Sequence, residues 1–428
     1  MAVIGTGYVG LTTGACLAHL GHDVVCADID EAKIELLQTG RIPIFEEGLE
    51  PLVAEGVAAG RLRFVLGAAA AVADAEFVFL CVQTPQGPDG SADLRFVEAA
   101  SRDIGPSLPA GAIVITKSTV PVGSAQVVER ALARTDVAVV SNPEFLREGQ
   151  AVHDCLHPDR VVIGCDDQAA AARVAGLYQG LNAPVMVTDP TTAETIKYAC
   201  NAFLATKVSY INAIANLCQA VGADVRDVVL GMGYDKRIGF EFLKPGPGWG
   251  GSCFPKDSRA LVRIAEDAGY DFQLLKGVIA VNERQFHLLA DRISELAGGD
   301  LEGVVVAVWG LTFKAGTDDL RDSPAIAVIG QLVRRGAVVR AYDPTVTGDR
   351  REKTSRVPDG VEVCDDAYAA CAGAAVLAVL TEWDEFRWLD FDKVAGVMSS
   401  PVILDARNLL DPSSLRRRGF HYQGMGRK

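Results

Sequence analysis

The residues "GTGYVG" at positions 5 to 10 constrain this chain more than any other stretch. They stand between a short apolar run, "MAVI", and a segment of helical period, "LTTGACLAHLG", that Gly21 can end; a second apolar run, "DVVCADID", follows at once. Strand, glycine turn, helix, strand is the opening of a βαβ unit in a parallel sheet. In that setting Gly5, Gly7 and Gly10 let the backbone approach a pyrophosphate, which the free N–H groups of the following helix can bind, with Tyr8 and Val9 on the same turn. Asp28 closes the second run. A carboxylate there accepts from ribose hydroxyls and repels a 2′-phosphate, so NAD is expected rather than NADP. A glycine pattern alone is weak; the flanking strand and helix raise it above a structural turn beside a surface aspartate.

The alternation continues. "EFVFLCVQTP" and "AIVITKSTVP" read as buried strands, and "VAVVSNPEFLREG" adds another that runs into a loop. Polar residues cluster after these strand ends, the edge where open α/β sheets bind ligands. From about residue 191, "TTAETIKYACNAFLATKVSYINAIANLCQAVG" reads as one long helix, with Thr191 or Thr192 able to cap its start and Gly222 just past its end. Residues 223 to 240 and 257 to 298 also read as helical. A second α/β pattern then runs from "GVVVAVWGL" through "AVVRAYDP" and "AVLAVLT" to "PVILDARNLL", and the basic tail "RRRGFHYQGMGRK" is expected to be mobile. The fold class predicted is α/β: two Rossmann-like doubly wound domains, 1–190 for NAD and a second of nucleotide-binding size at 299–428, joined by a long central helix within a mainly α middle domain, 191–298.

At 428 residues the chain exceeds one ordinary core, so two or three domains are expected, with enough length to bury a ligand between them. A net charge of −14 disfavours nonspecific nucleic-acid binding, and no apolar run reaches the roughly 18 to 20 residues that span a bilayer. The N-terminus lacks the basic region of a signal peptide, so a cytoplasmic location is expected. Ten cysteines with no CxxC pair and no His/Cys cluster at ligand spacing argue for reduced thiols, and against a disulfide framework or a metal.

One of those thiols stands apart. Cys253 lies in "GPGWGGSCFPKD", among Gly246, Gly248, Gly250 and Gly251, with Pro247 and Pro255 stiffening the segment. Such a loop reads as shaped to hold another molecule, whereas a buried cysteine is ordinarily a small hydrophobe.

Taken in order, "GTGYVG", "STVPVG", "NPEFLREG", "KYACN", "GPGWGGSCFPKD" and "GLTFKAGTDDLRDSP" resemble the UDP-glucose/GDP-mannose dehydrogenase family of nucleotide-sugar dehydrogenases over nearly the whole chain. That resemblance implies a four-electron oxidation of a primary alcohol to a carboxylate with two NAD, the aldehyde being captured by a thiolate as a thiohemiacetal and then a thioester. It makes Cys253 the nucleophile. Lys197 and Asn201, four apart on the central helix, would hold the oxyanion. Asp257 would work with a water positioned by Thr119, and Glu148 would serve as base for thioester hydrolysis, supported by Glu144. Lys256, Lys33, Thr84, Thr119, Glu148 and Arg321 are implied around the cofactor. Phe145, Leu146, Phe242, Leu243, Lys244, Trp249, Gly250, Lys314 and Arg407 are implied around a UDP-sugar, beside Lys197 and Asn201, with Lys314 and Arg407 supplying positive charge. A homodimer through the central helix is also implied. Glu47 departs from the family, which often has proline before that glycine.

Two-electron β-hydroxyacid dehydrogenases share the dinucleotide and helical domains but lack the cysteine loop and the second α/β domain. A scaffold protein would be expected to have lost Cys253, Lys197 or Asp257. Within the family, "GGSCFPKD" speaks against UDP-N-acetylmannosamine, and Phe254 stands where GDP-mannose enzymes usually have leucine; UDP-glucose leads.

Overall fold

Alternate residues of each short strand face opposite ways, and here both faces are apolar. In the first sheet Val3, Phe79 and Ile115 enter one core, while Ala2, Ile4, Val78 and Leu80 enter another. Only a sheet covered by helices on both faces can bury both sets. The computed structural model describes residues 1–346 and 355–427. By contacts these form two compact units, Met1–Cys200 with Arg259–Tyr270, and Asn201–Ser258 with Asp271–Lys428. The division falls inside the long helix, and the middle segment is shared out between the units.

The first unit holds an eight-stranded sheet of β1 (Ala2–Ile4), β2 (Val24–Asp28), β3 (Leu62–Leu66), β4 (Phe77–Leu80), β5 (Ile113–Thr116), β6 (Ala138–Ser141), β7 (Val161–Gly164) and β8 (Val185–Thr188). Its order is β3-β2-β1-β4-β5-β6-β7-β8, and only the β6–β7 pairing is antiparallel. Chain order reverses at β1, so the glycine turn sits at the switch point where such sheets bind nucleotides. The turn is tight. A Cβ on Gly5, whose φ is +96°, would lie 2.8 Å from the Cys81 carbonyl oxygen, and one on Gly10 would lie 1.9 Å from the Gly5 carbonyl oxygen. At Gly7 a Cβ would meet nothing within 4 Å, which leaves that side open.

The second unit repeats the plan. β9 (Val305–Trp309), β10 (Val338–Tyr342), β11 (Val361–Val363), β12 (Val376–Val379), β13 (Val402–Asp405) and β14 (His421–Gly424) form a fully parallel sheet in the order β11-β10-β9-β12-β13-β14. The repeat reaches single hydrogen bonds. Gly5 N–H donates to Ala27 O and Gly310 N–H to Tyr342 O; Thr6 N–H donates to Asp28 Oδ2 and Leu311 N–H to Asp343 Oδ2. Asp343 therefore occupies the position that Asp28 holds in the first sheet, but its own chain surrounds it: Thr312, Thr345 and the Trp383 indole N–H all donate to it, and it is fully buried.

Two expectations are corrected. As far as Arg427 the basic tail is ordered, because Pro412–Arg417 is helical and His421–Gly424 pairs with β13, with Tyr422 and Phe420 buried in the core. Apolar alternation in "FHYQGM" outweighs the charges before it. The long helix runs Pro190–Val221, and its start is capped by Asp189, which accepts from the Thr192 N–H and hydroxyl. Gly222 beyond its end adopts φ +74°, the left-handed conformation expected of that position. Among the described residues no helix is long and apolar enough to cross a membrane.

Candidate active site

In the first unit, Asp28 ends β2 facing the glycine turn. Its Oδ2 accepts from Thr6 N–H (2.8 Å), Thr6 Oγ1 (2.7 Å) and Lys33 Nζ (3.1 Å), and its Oδ1 from Ile29 and Asp30 N–H. Burial opposes the charge, but the Thr6 and Lys33 bonds outweigh it and hold the carboxyl down at about 2. Thr84 Oγ1 donates to the Thr119 carbonyl at 2.9 Å, tying together the loops after β4 and β5. With open space at Gly7, these groups fit a dinucleotide: backbone N–H at the turn for the pyrophosphate, a fixed negative charge for the ribose.

The loop after β6 carries "NPEFLREG". Glu144 is buried, accepts from Lys197 Nζ at 2.9 Å and from Leu146 N–H at 2.5 Å, and so fixes the bend of its own loop against the long helix. Both side chains of this ion pair are no more than 5% exposed. Phe145 lies under two cations, Arg160 at 3.5 Å from its centroid and Lys197 at 5.4 Å. Glu148 is half-buried in the same loop.

In the second unit the cysteine loop and the long helix meet. Cys253 immediately precedes the helix Phe254–Asp267, its carbonyl accepting from Asp257 N–H at 2.8 Å, which puts the residue at a helix N-terminus, where negative charge is favoured. Asp257 is 1% exposed, with Oδ2 accepting from Asn201 Nδ2 and Oδ1 from Lys256 Nζ, both at 2.6 Å. Lys256, implied beside the cofactor, is thus paired with Asp257. Ser252 Oγ lies 3.5 Å from Cys253 Sγ.

The glycines of this loop are crowded by their own chain. A Cβ on Gly250 would stand 2.0 Å from the Asp322 carbonyl oxygen, and one on Gly251, at φ +81°, 2.9 Å from the Phe313 ring. Trp249 is buried: its indole N–H donates to Ser209 Oγ (2.8 Å), and its backbone N–H and carbonyl are both bonded by the Asn282 amide (2.8 and 2.9 Å). Asn212 accepts from Gly246 N–H and Gln285 donates to Gly246 O, so two helices hold the loop through buried amides. Sequence reading missed Asn212, Asn282 and Gln285; polar amides at otherwise apolar helical positions were the available signal.

Arg407 supports the same neighbourhood. Its guanidinium donates to Leu380 O and Phe313 O and pairs with Glu382 at 2.9 Å, while NH1 lies 3.2 Å from where a Gly246 Cβ would stand. Lys314 follows Phe313, with its ammonium 5.5 Å from that ring. Arg321 is forked onto Asp319. Leu243 is 1% exposed in a core with Ile211 and Val225, so only its backbone is available to a ligand; Lys244 is exposed, and Phe242 adopts φ +60° against the Phe254 ring. A left-handed phenylalanine is a strained conformation of the kind that clusters at functional sites.

Residues 1–182 match the UDP-glucose/GDP-mannose dehydrogenase family NAD binding domain, 191–284 its central domain and 307–412 its UDP binding domain. The chain is 48% identical to a UDP-glucose 6-dehydrogenase of Rhizobium meliloti, covering 100% of this chain and 99% of that one. A UDP-glucose 6-dehydrogenase of Pseudomonas aeruginosa is 46% identical, at 100% and 97% coverage. Among solved structures, a UDP-glucose dehydrogenase from Pyrobaculum islandicum superimposes with a TM-score of 0.91 at 38% identity, covering 100% and 97%.

Proposed function

This chain belongs to the UDP-glucose/GDP-mannose dehydrogenase family, and from that premise we propose that it oxidises UDP-glucose to UDP-glucuronate through a thioester on Cys253. It is an NAD-dependent nucleotide-sugar dehydrogenase. In the proposed division of labour, 1–190 serves NAD, 191–298 the covalent chemistry and 299–428 the UDP-sugar. NAD, when bound, accepts a hydride in each of two oxidations. The chain does the rest. Asp257, oriented by Asn201 and Lys256, takes through a Thr119-positioned water the proton that leaves the C6 hydroxyl in the first oxidation. Lys197, held by Glu144, and Asn201 one helical turn later stabilise the oxygen that becomes anionic. Cys253 adds to the aldehyde, and the thiohemiacetal loses a second hydride and a proton to give the thioester. Glu148 then activates water, which displaces the thiol and releases the acid.

The single observation that carries this reading is the constellation of Cys253, Lys256 and Asp257 at the start of one helix with Asn201 reaching Asp257 from the long helix, so that both Asp257 oxygens are engaged. A panel of nucleotide sugars with NAD tests it. Two NADH per UDP-glucuronate are expected, and Cys253→Ala should form no uronate; one NADH per product, or uronate from the variant, would sink the covalent route.

The assembly proposed is a homodimer through the long helix. Phe203, Tyr210, Leu217 and Val221 recur at heptad-like spacing on it and are 53% to 67% exposed. All ten cysteines are free, which suits a reducing compartment, and the cytoplasm is the location proposed.

A further inference from the structure

Glu46 is a buried charge of the first unit to which the proposed chemistry gives no part. It lies between β2 and β3 in "IFEEGLEP", beside the exposed Glu47, and is 5% exposed. Its carboxylate accepts at both oxygens from one distant loop, Oε2 from Gly149 N–H and Oε1 from Ala151 N–H, each at 2.6 Å. Those residues directly follow Glu148. Gly149 N–H donates at the same time to the Tyr8 hydroxyl at 2.7 Å, and Tyr8 begins the helix that follows the glycine turn. One backbone N–H thus joins three parts of the chain: the glycine turn, the Glu46 segment and the loop bearing Glu148. Gly149 has φ +81°, so the loop makes a left-handed bend at the point where it is held.

A carboxylate at the start of the short helix Ala151–Leu156 is, in its plainest role, a helix cap. Two features go beyond capping. The bond to Gly149 lies before the helix, adjacent to Glu148, and the second acceptor of that N–H is the Tyr8 hydroxyl at the glycine turn. We propose that Glu46 is a positioning residue for thioester hydrolysis: through Gly149 and Ala151, and with Tyr8, it fixes the loop that aims Glu148. This rests on the assignment of Glu148 as the hydrolytic base.

The test follows the two halves of the reaction separately in full-length Glu46→Gln, Glu46→Ala and Glu148→Gln, by rapid quench with intact-protein mass and NADH release. In Glu46→Ala the oxidations should keep their rates within about twofold while hydrolysis slows by about 10- to 100-fold, the cost of a catalytic group displaced by about an ångström. A sugar adduct on Cys253 should then accumulate, as in Glu148→Gln. Glu46→Gln keeps one acceptor and should fall between wild type and Glu46→Ala. Hydroxylamine, which cleaves thioesters without a base, should restore turnover and yield the hydroxamate, a rescue that a merely structural lesion would not show. Equal slowing of all steps, or no adduct in Glu46→Ala while Glu148→Gln accumulates it, overturns the role of Glu46 alone. Absence of adduct in Glu148→Gln overturns the assignment of Glu148 and the proposal with it.

Discussion

Asp28 accepts from Thr6 twice, from Lys33, and from the Ile29 and Asp30 N–H groups, which saturates a carboxylate with about four lone-pair sites. In the role proposed for Asp28 a ribose hydroxyl would bind by exchange, and Lys33, on a flexible stem and partly exposed, is the donor that can leave. Asp28→Asn would turn an amide N–H toward the donors of Thr6. We expect weaker NAD binding together with a stability loss of about 1–3 kcal/mol, the penalty of unsatisfied partly buried donors. The sign of the pH dependence follows from the depressed carboxyl. Its contribution is complete above the ordinary carboxylate range near pH ~4 and is lost as pH falls through about 2. Acid unfolding of both proteins checks this: their stability difference should hold from neutrality to about pH 4 and vanish near pH 2.

At the scale of elements, two glycines of similar appearance do opposite things. Gly250 is pressed onto the Asp322 carbonyl, whereas Gly7 has open space where a side chain would go. Gly250→Ala must push the cysteine loop off its neighbour, at about 1–3 kcal/mol, and should lower the melting temperature and turnover together. Gly7→Ala should leave the melting temperature unchanged and raise KM for NAD, because its methyl group meets nothing of the chain within 4 Å and would stand where the pyrophosphate is proposed to bind. Thermal unfolding alongside steady-state kinetics separates the two; a lowered melting temperature in Gly7→Ala would contradict this reading. Of these elements the sequence showed the turn, the long helix and the cysteine loop. It did not show why the loop is glycine-rich. The atoms that crowd Gly250 and Gly251 come from residues 313, 322 and 324, and no local pattern records them.

For the whole molecule, the exposed apolar stripe from Phe203 to Val221 is the surface that the proposed second copy would cover. Phe203→Asp with Tyr210→Asp should shift sedimentation from dimer to monomer at micromolar concentration while each unit stays folded. A wild-type protein that sediments only as monomer would end the dimer proposal. Chain-long order was highly legible: both Rossmann-like sheets were predicted from alternation of apolar runs with helices. Their shared detail was not, since Asp343 looks from sequence like any aspartate before a proline.

Local patterns determined the secondary structure, the choice of NAD and the residue types available for chemistry, because period, glycine turns and charge act over a few residues. The side-chain partners were settled by tertiary structure. Asn201 on Asp257, Lys197 on Glu144 and Glu46 on Gly149 join residues 53 to 103 positions apart, and buried polar groups must find acceptors wherever the fold brings them. The tail shows the same division: its basic composition suggested mobility, but β13 offered an edge to pair with, and the backbone hydrogen bonds gained there outweighed the charge.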